Sequence, residues 1–133
     1  MNHNEKTQHS NPFDLSIMVG LHVDRFVLSR YQLDIYFSDD ASIESGIIVL
    51  EGNIVVESEI GSSEYNIQDA DGHIVPGDFL GGRIVEILYV PESALSIRFQ
   101  MGSTLTGFCL NEGNEFGSIR VFRGKVRFLL PLL

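Results

Sequence analysis

Tryptophan is absent, and the single cysteine, Cys109, leaves no partner for an intramolecular disulfide and no basis for a multi-cysteine zinc site. That economy of thiols fits a reducing compartment, so a cytoplasmic location is expected. Long apolar runs are missing too. No segment approaches the roughly 20 apolar residues needed to cross a bilayer as a helix, and the apolar stretch Phe128–Leu133 is far too short. The polar opening Met1–Pro12 has neither the apolar centre of a secretory signal nor the basic amphipathic pattern of a transit peptide; residues 1–12 read as a disordered tail, and 13–133 as a single domain. Cations are scarce: 9 Lys and Arg stand against 18 Asp and Glu, for a net charge of −9. A protein that neutralises phosphates needs a basic face, so nucleic acid is not an expected partner.

What is present is short-period alternation. Thirteen glycines against 4 prolines, with 44% hydrophobic residues, suit a packed chain with many tight turns. Apolar and polar residues alternate with period two over about 21–28, 32–38, 41–50, 53–60, 64–68, 83–90, 94–101, 103–109, 117–122 and 125–130. Turn residues separate them, as at Asp39-Asp40, Glu51-Gly52-Asn53, Gly61-Ser62-Ser63, Asp71-Gly72 and Arg123-Gly124. No window carries a 3.6-residue apolar stripe; one short helical turn fits Pro76–Gly81, where Pro and Asp suit a start and Gly an end. The expected fold is all-β, an antiparallel β-sandwich or partly open barrel.

The segment Gly20–Ser45 can be laid without gaps on Gly82–Gly107, matching Gly20 with Gly82, Val23 with Val85, Leu33 with Leu95, Ile35 with Ile97 and Phe37 with Phe99. Any two alternating segments share apolar phase, so the match is a possible internal repeat, in which two similar β-meander halves face each other across one core. On either account Leu33, Ile35, Phe37, Leu95, Ile97 and Phe99 form its centre, each contributing roughly 1.5–3 kcal/mol on burial. Val23, Ile47, Val49, Ile54, Val56, Val85, Ile87, Leu105, Phe108, Val121, Val126 and Phe128 are expected to supply much of the remainder.

Reactive groups are few and poorly organised. Of the four histidines, His3 and His9 lie in the tail, where nothing can hold them in metal or general-base geometry. His22 and Asp24 share a strand face without a third ligand or a nucleophile, and read as a surface pair. Asp69-Ala70-Asp71-Gly72 opens like a calcium loop, but the glutamate that would close it is missing; a hairpin turn accounts for Asp71-Gly72. Cys109, flanked by Phe108 and Leu110, reads as a packed thiol. The glycines of Gly77–Gly82 lack the lysine and spacing of a phosphate loop. Glu57 and Glu59 could in principle work as paired carboxylates on a sugar, but no aromatic platform accompanies them. No enzyme activity, metal or cofactor is expected.

Charge distribution carries the functional expectation. Between Arg30 and Arg83 there is no Lys or Arg but eleven acids, whereas Arg120, Arg123, Lys125 and Arg127 crowd the end. Such a surface suits a basic partner, with Asp34, Asp39, Asp40, Glu44, Glu57, Glu59, Glu64, Asp69 and Asp71 as candidate contacts. In this the chain resembles the acidic immunity proteins that neutralise nuclease toxins. The pattern Gly20-Leu21-His22-Val23, Leu33-Asp34-Ile35-Tyr36-Phe37-Ser38-Asp39, Leu95-Ser96-Ile97-Arg98-Phe99 and Glu112–Val121 also resembles a family of uncharacterised small bacterial β-proteins, some of them immunity-protein-like, over most of residues 16–130. The resemblance implies a non-catalytic inhibitor of a basic, nuclease-type toxin domain, with no catalytic residues. Two other expectations compete. One is a small-molecule-binding barrel lined by Phe37, Phe99, Phe108 and Tyr36; the other is an oligomerising β module that pairs with another copy through Phe128–Leu133, the expected state being a monomer or a weak homodimer.

Overall fold

The structure, a computed structural model, describes residues 14–29, 32–40, 44–58, 61–66, 82–109 and 114–133. The tail, His73, Asp69–Gly72 and the helical turn expected at Pro76–Gly81 lie outside the described residues. Ten strands follow one another: β1 (His22–Leu28), β2 (Leu33–Ser38), β3 (Glu44–Leu50), β4 (Asn53–Ser58), β5 (Gly61–Asn66), β6 (Ile84–Val90), β7 (Ala94–Phe99), β8 (Thr104–Phe108), β9 (Gly117–Arg123) and β10 (Val126–Leu132). They form two antiparallel five-stranded sheets, β1-β2-β3-β9-β10 (sheet A) and β5-β4-β8-β7-β6 (sheet B), neither closed into a barrel. A 3-10 turn at Leu15–Met18 precedes them, capped by Asp14, whose carboxylate accepts from Ser16 N at 2.9 Å. That hydrogen bond holds the Asp14 carboxyl below the usual value of 3.8.

Read from the β6 edge, sheet B runs β6-β7-β8-β4-β5, matching strand for strand the order β1-β2-β3-β9-β10 of sheet A. Each sheet therefore takes a three-stranded meander from one half of the chain and a hairpin from the other. Registers agree in detail. In sheet A, Val23 pairs with Phe37, Asp24 bulges out, and Arg25 pairs with Tyr36; in sheet B, Ile84 pairs with Phe99, Val85 bulges out, and Glu86 pairs with Arg98. Leu33, Ile35 and Phe37 thus correspond to Leu95, Ile97 and Phe99, whereas Val23 corresponds to Ile84, one residue from the partner that gapless alignment gives it.

The core lies between the sheets. Leu33, Ile35, Phe37, Leu95, Ile97 and Phe99 are all buried, joined by Ile48, Leu50, Ile54, Ile84, Leu105, Ile119, Val121 and Leu132. Phase explains where the expected core differs. Gly46–Leu50 is apolar without interruption, so alternation alone cannot choose a face. Pairing of Leu33 with Leu50 and of Ile35 with Ile48 turns those two inward and leaves Ile47 and Val49 half-buried outside. Val85 sits in the bulge, and Phe108 and Val126 are exposed. Gly61, Ser62 and Ser63, read as a turn, are paired with Ser58, Glu57 and Val56. Leu50 fills the space beside Gly107, where a Cβ would stand 2.9 Å from Leu50 Cδ2.

Two corners tie the sheets together. At one, His22 bridges Arg83, and Ile84 exchanges backbone hydrogen bonds with Gly20 and Leu21 at 2.8 Å each. At the other, the Tyr89 hydroxyl accepts from Leu133 N at 2.9 Å and donates to its oxygen at 3.0 Å, while Glu92 N–H also donates to that oxygen.

Candidate functional site

The expected acidic contacts do not share one surface. Asp34 projects from the outer face of sheet A, where it accepts from Gln32 Nε2 at 2.9 Å. Asp39 and Asp40 follow β2, and the amide of Asp39 donates to Glu44 O at 2.9 Å. Glu57 and Glu64 lie on the opposite side of the molecule, exposed on the outer face of sheet B. Glu59, Asp69 and Asp71 lie outside the described residues.

Around the His22–Arg83 bridge several of these carboxylates are already engaged. Arg83 Nη2 grips both oxygens of Asp40 at 3.0 Å while its Nη1 donates to Gly20 O at 2.9 Å. His22 stands between two carboxylates, with Nε2 3.2 Å from Asp24 and Nδ1 3.4 Å from Asp40. Arg123 Nε donates to Glu44 at 2.9 Å. Only the Arg83 contacts cross the sheet junction, from the residue before β6 to Gly20 and the turn after β2; the His22 pairs and Arg123–Glu44 lie within sheet A. Being largely exposed, each pair is worth only about 0–1 kcal/mol. Both imidazole nitrogens face carboxylates. Among the described residues no group of three or more His, Cys, Asp or Glu is placed to hold a metal ion.

The face carrying Glu57 and Glu64 is different. Strand pairing sets Glu57 across from Ser62 on one side and Thr104 on the other, and Glu64 across from Val55. Neither carboxylate has a hydrogen-bond or ion-pair partner among the described residues. Arg98, the one arginine on this face among the described residues, is directed at Glu86 at 3.5 Å. Two carboxylates without a partner among the described residues therefore stand on a hydroxyl-rich sheet surface, spaced by the ladder and flanked by half-exposed Phe108.

Sequence reasoning missed the outer face of sheet A. One continuous row crosses all five strands: Arg25, Tyr36, Ile47, Arg120 and Leu129. Arg25 stacks over the Tyr36 ring, 4.3 Å from its centroid. Arg127 and Phe122 form the next pair. Among the described residues this face carries three arginines, against Asp34 and, in the bulge beside Arg25, the exposed Asp24. The signal was the basic C-terminal segment, but only the placement of β9 beside β3 brings it onto the same surface as Arg25. Tyr36 and Phe108, expected to line a hollow interior, point outward from opposite sheets, and Phe37 and Phe99 are packed in the core. Of the apolar segment Phe128–Leu133, Leu130 and Leu132 are buried in the core, while Leu129 and Leu133 stay exposed.

No helix among the described residues is long and apolar enough to cross a membrane. Comparison of the chain with protein-family models, curated proteins and solved structures finds no match.

Proposed function

We propose that this protein is a non-catalytic binding module that docks a basic protein domain, such as that of a nuclease-type toxin, on the outer face of sheet B. The observation that carries the reading is the pair Glu57 and Glu64, exposed on one sheet face and without a partner among the described residues. Carboxylates already bound to arginine, as Asp40 and Glu44 are, must break those contacts before serving a partner. Glu57 and Glu64 break no contact with a described residue. The surrounding Ser62, Thr104 and Thr106 supply hydroxyls for a polar rim, and Phe108 an apolar anchor of the kind that dominates interface energetics. Nuclease domains carry cationic sites because they bind phosphate, so an acidic sheet face complements them in sign.

The test is co-production with each basic protein encoded beside it, followed by association kinetics with the purified pair. Glu57→Lys with Glu64→Lys is expected to slow association about tenfold or more at low salt, with the difference shrinking towards about 1 M salt as the charges are screened. Unchanged kinetics, or an encoded neighbourhood with no basic protein that binds, would contradict the proposal.

A further inference from the structure

The two sheets share strand order and register, so each outer-face position on sheet A has a counterpart on sheet B. The row Arg25, Tyr36, Ile47, Arg120, Leu129 corresponds to Glu86, Arg98, Thr104, Glu57, Ser62. At two of the five positions the charge is inverted: Arg25 answers to Glu86 and Arg120 to Glu57. In each sheet the like charges are separated by three strand spacings, about 14 Å at about 4.8 Å per spacing. A pair of arginines on one face therefore matches, in sign and span, a pair of glutamates on the other.

From this match we infer that the outer face of sheet A is a docking surface for a second copy of this chain, received through the outer face of sheet B. Apolar side chains accompany the charges on both faces: Phe122 and Leu129 are 36% and 44% exposed on sheet A, and Leu88 and Val90 are 56% and 58% exposed on sheet B. Arg120 has no partner among the described residues, so pairing it with Glu57 breaks nothing. Arg25 keeps its stack on Tyr36, and Glu86 exchanges a long contact with Arg98 for a closer one.

The contact joins unlike faces, so each copy retains one free face of each kind. Association is then head-to-tail and open-ended rather than a closed dimer. Each face spans about 20 by 20 Å from strand spacing and rise, small beside the roughly 800 Å² per partner of a stable interface. Self-association is therefore weak, reversible and salt-sensitive. It also covers Glu57, so a second copy and a basic partner compete for sheet B.

Sedimentation velocity of the full chain over a range of concentrations at low and high salt tests this, with two variants. Arg25→Glu with Arg120→Glu reverses sheet A; Glu57→Arg with Glu86→Arg reverses sheet B. The native chain is expected to shift to larger species with concentration at low salt. Each variant alone should associate at least tenfold more weakly, and an equimolar mixture of the two should recover association, because it recreates the native contact between one variant's sheet A and the other's sheet B. A native chain that stays monomeric throughout, or variants that associate as the native chain does, would overturn the inference. The sheet A variant leaves Glu57 and Glu64 intact, so its binding to a basic partner reports on the proposed function separately.

Discussion

At the scale of single residues, the tightest constraint is at Gly117. Its backbone has φ of 157° in β9, and a Cβ added there would overlap the carbonyl oxygen of Val49 on the neighbouring strand. Backbone cannot swing aside as a side chain can. Gly117→Ala is expected to destabilise by about 2–4 kcal/mol, since either the β3–β9 ladder or the Glu51–Phe116 hydrogen bond beside it must give. Gly102 has open space around it despite its positive φ, so Gly102→Ala should cost only about 1 kcal/mol in backbone strain. Urea unfolding of the two variants measures the difference; equal midpoints would show that the close approach is not limiting. Neither cost was legible beforehand: Gly117 opens an expected strand and Gly102 lies between two, and alternation does not show which backbone stands beside either. The core centre was legible, since Leu33, Ile35, Phe37, Leu95, Ile97 and Phe99 are interrupted by polar residues that fix their phase. Ile47 and Val49 were not, lying in an unbroken apolar run where only the partner strand decides.

At the scale of elements, the exchange of hairpins between sheets governs how the molecule holds together. The β4–β5 hairpin belongs to the first half of the chain but completes the sheet of β6, β7 and β8; the β9–β10 hairpin does the reverse. Neither half alone can build a covered sheet, because each meander would lack both its lateral neighbour and the opposite layer. Fragments 1–66 and 82–133 are therefore expected to be unfolded separately and to recover the native near-ultraviolet signature when mixed. A fragment that folds by itself would show that the exchange is not what stabilises the sandwich. Nearly every strand could be placed from alternation and turn residues to within a few positions. The strand order could not, for adjacency of β3 to β9 and of β4 to β8 depends on contacts remote in sequence. The bulges at Asp24 and Val85 also escaped, and they shift the correspondence of β1 with β6 by one residue.

At the scale of the whole molecule, a net charge of −9 conceals two faces of opposite character. The run of eleven acids reads as one patch along the chain, but folding sends Asp34 to sheet A and Glu57 and Glu64 to sheet B, and engages Asp40 and Glu44 with arginines. Charge order in sequence is a poor guide to charge order in space wherever consecutive hairpins belong to different sheets. What survives as an uncommitted acidic surface is narrower than the sequence suggests, and more sharply placed. The most direct test is to titrate the isotopically labelled chain with an oligolysine peptide and follow backbone amide shifts at low salt. The account predicts salt-sensitive shifts concentrated at Val55, Glu57, Glu64, Thr104 and Thr106. Shifts concentrated instead around Asp34, Asp40 and Glu44, or spread evenly over both sheets, would contradict it.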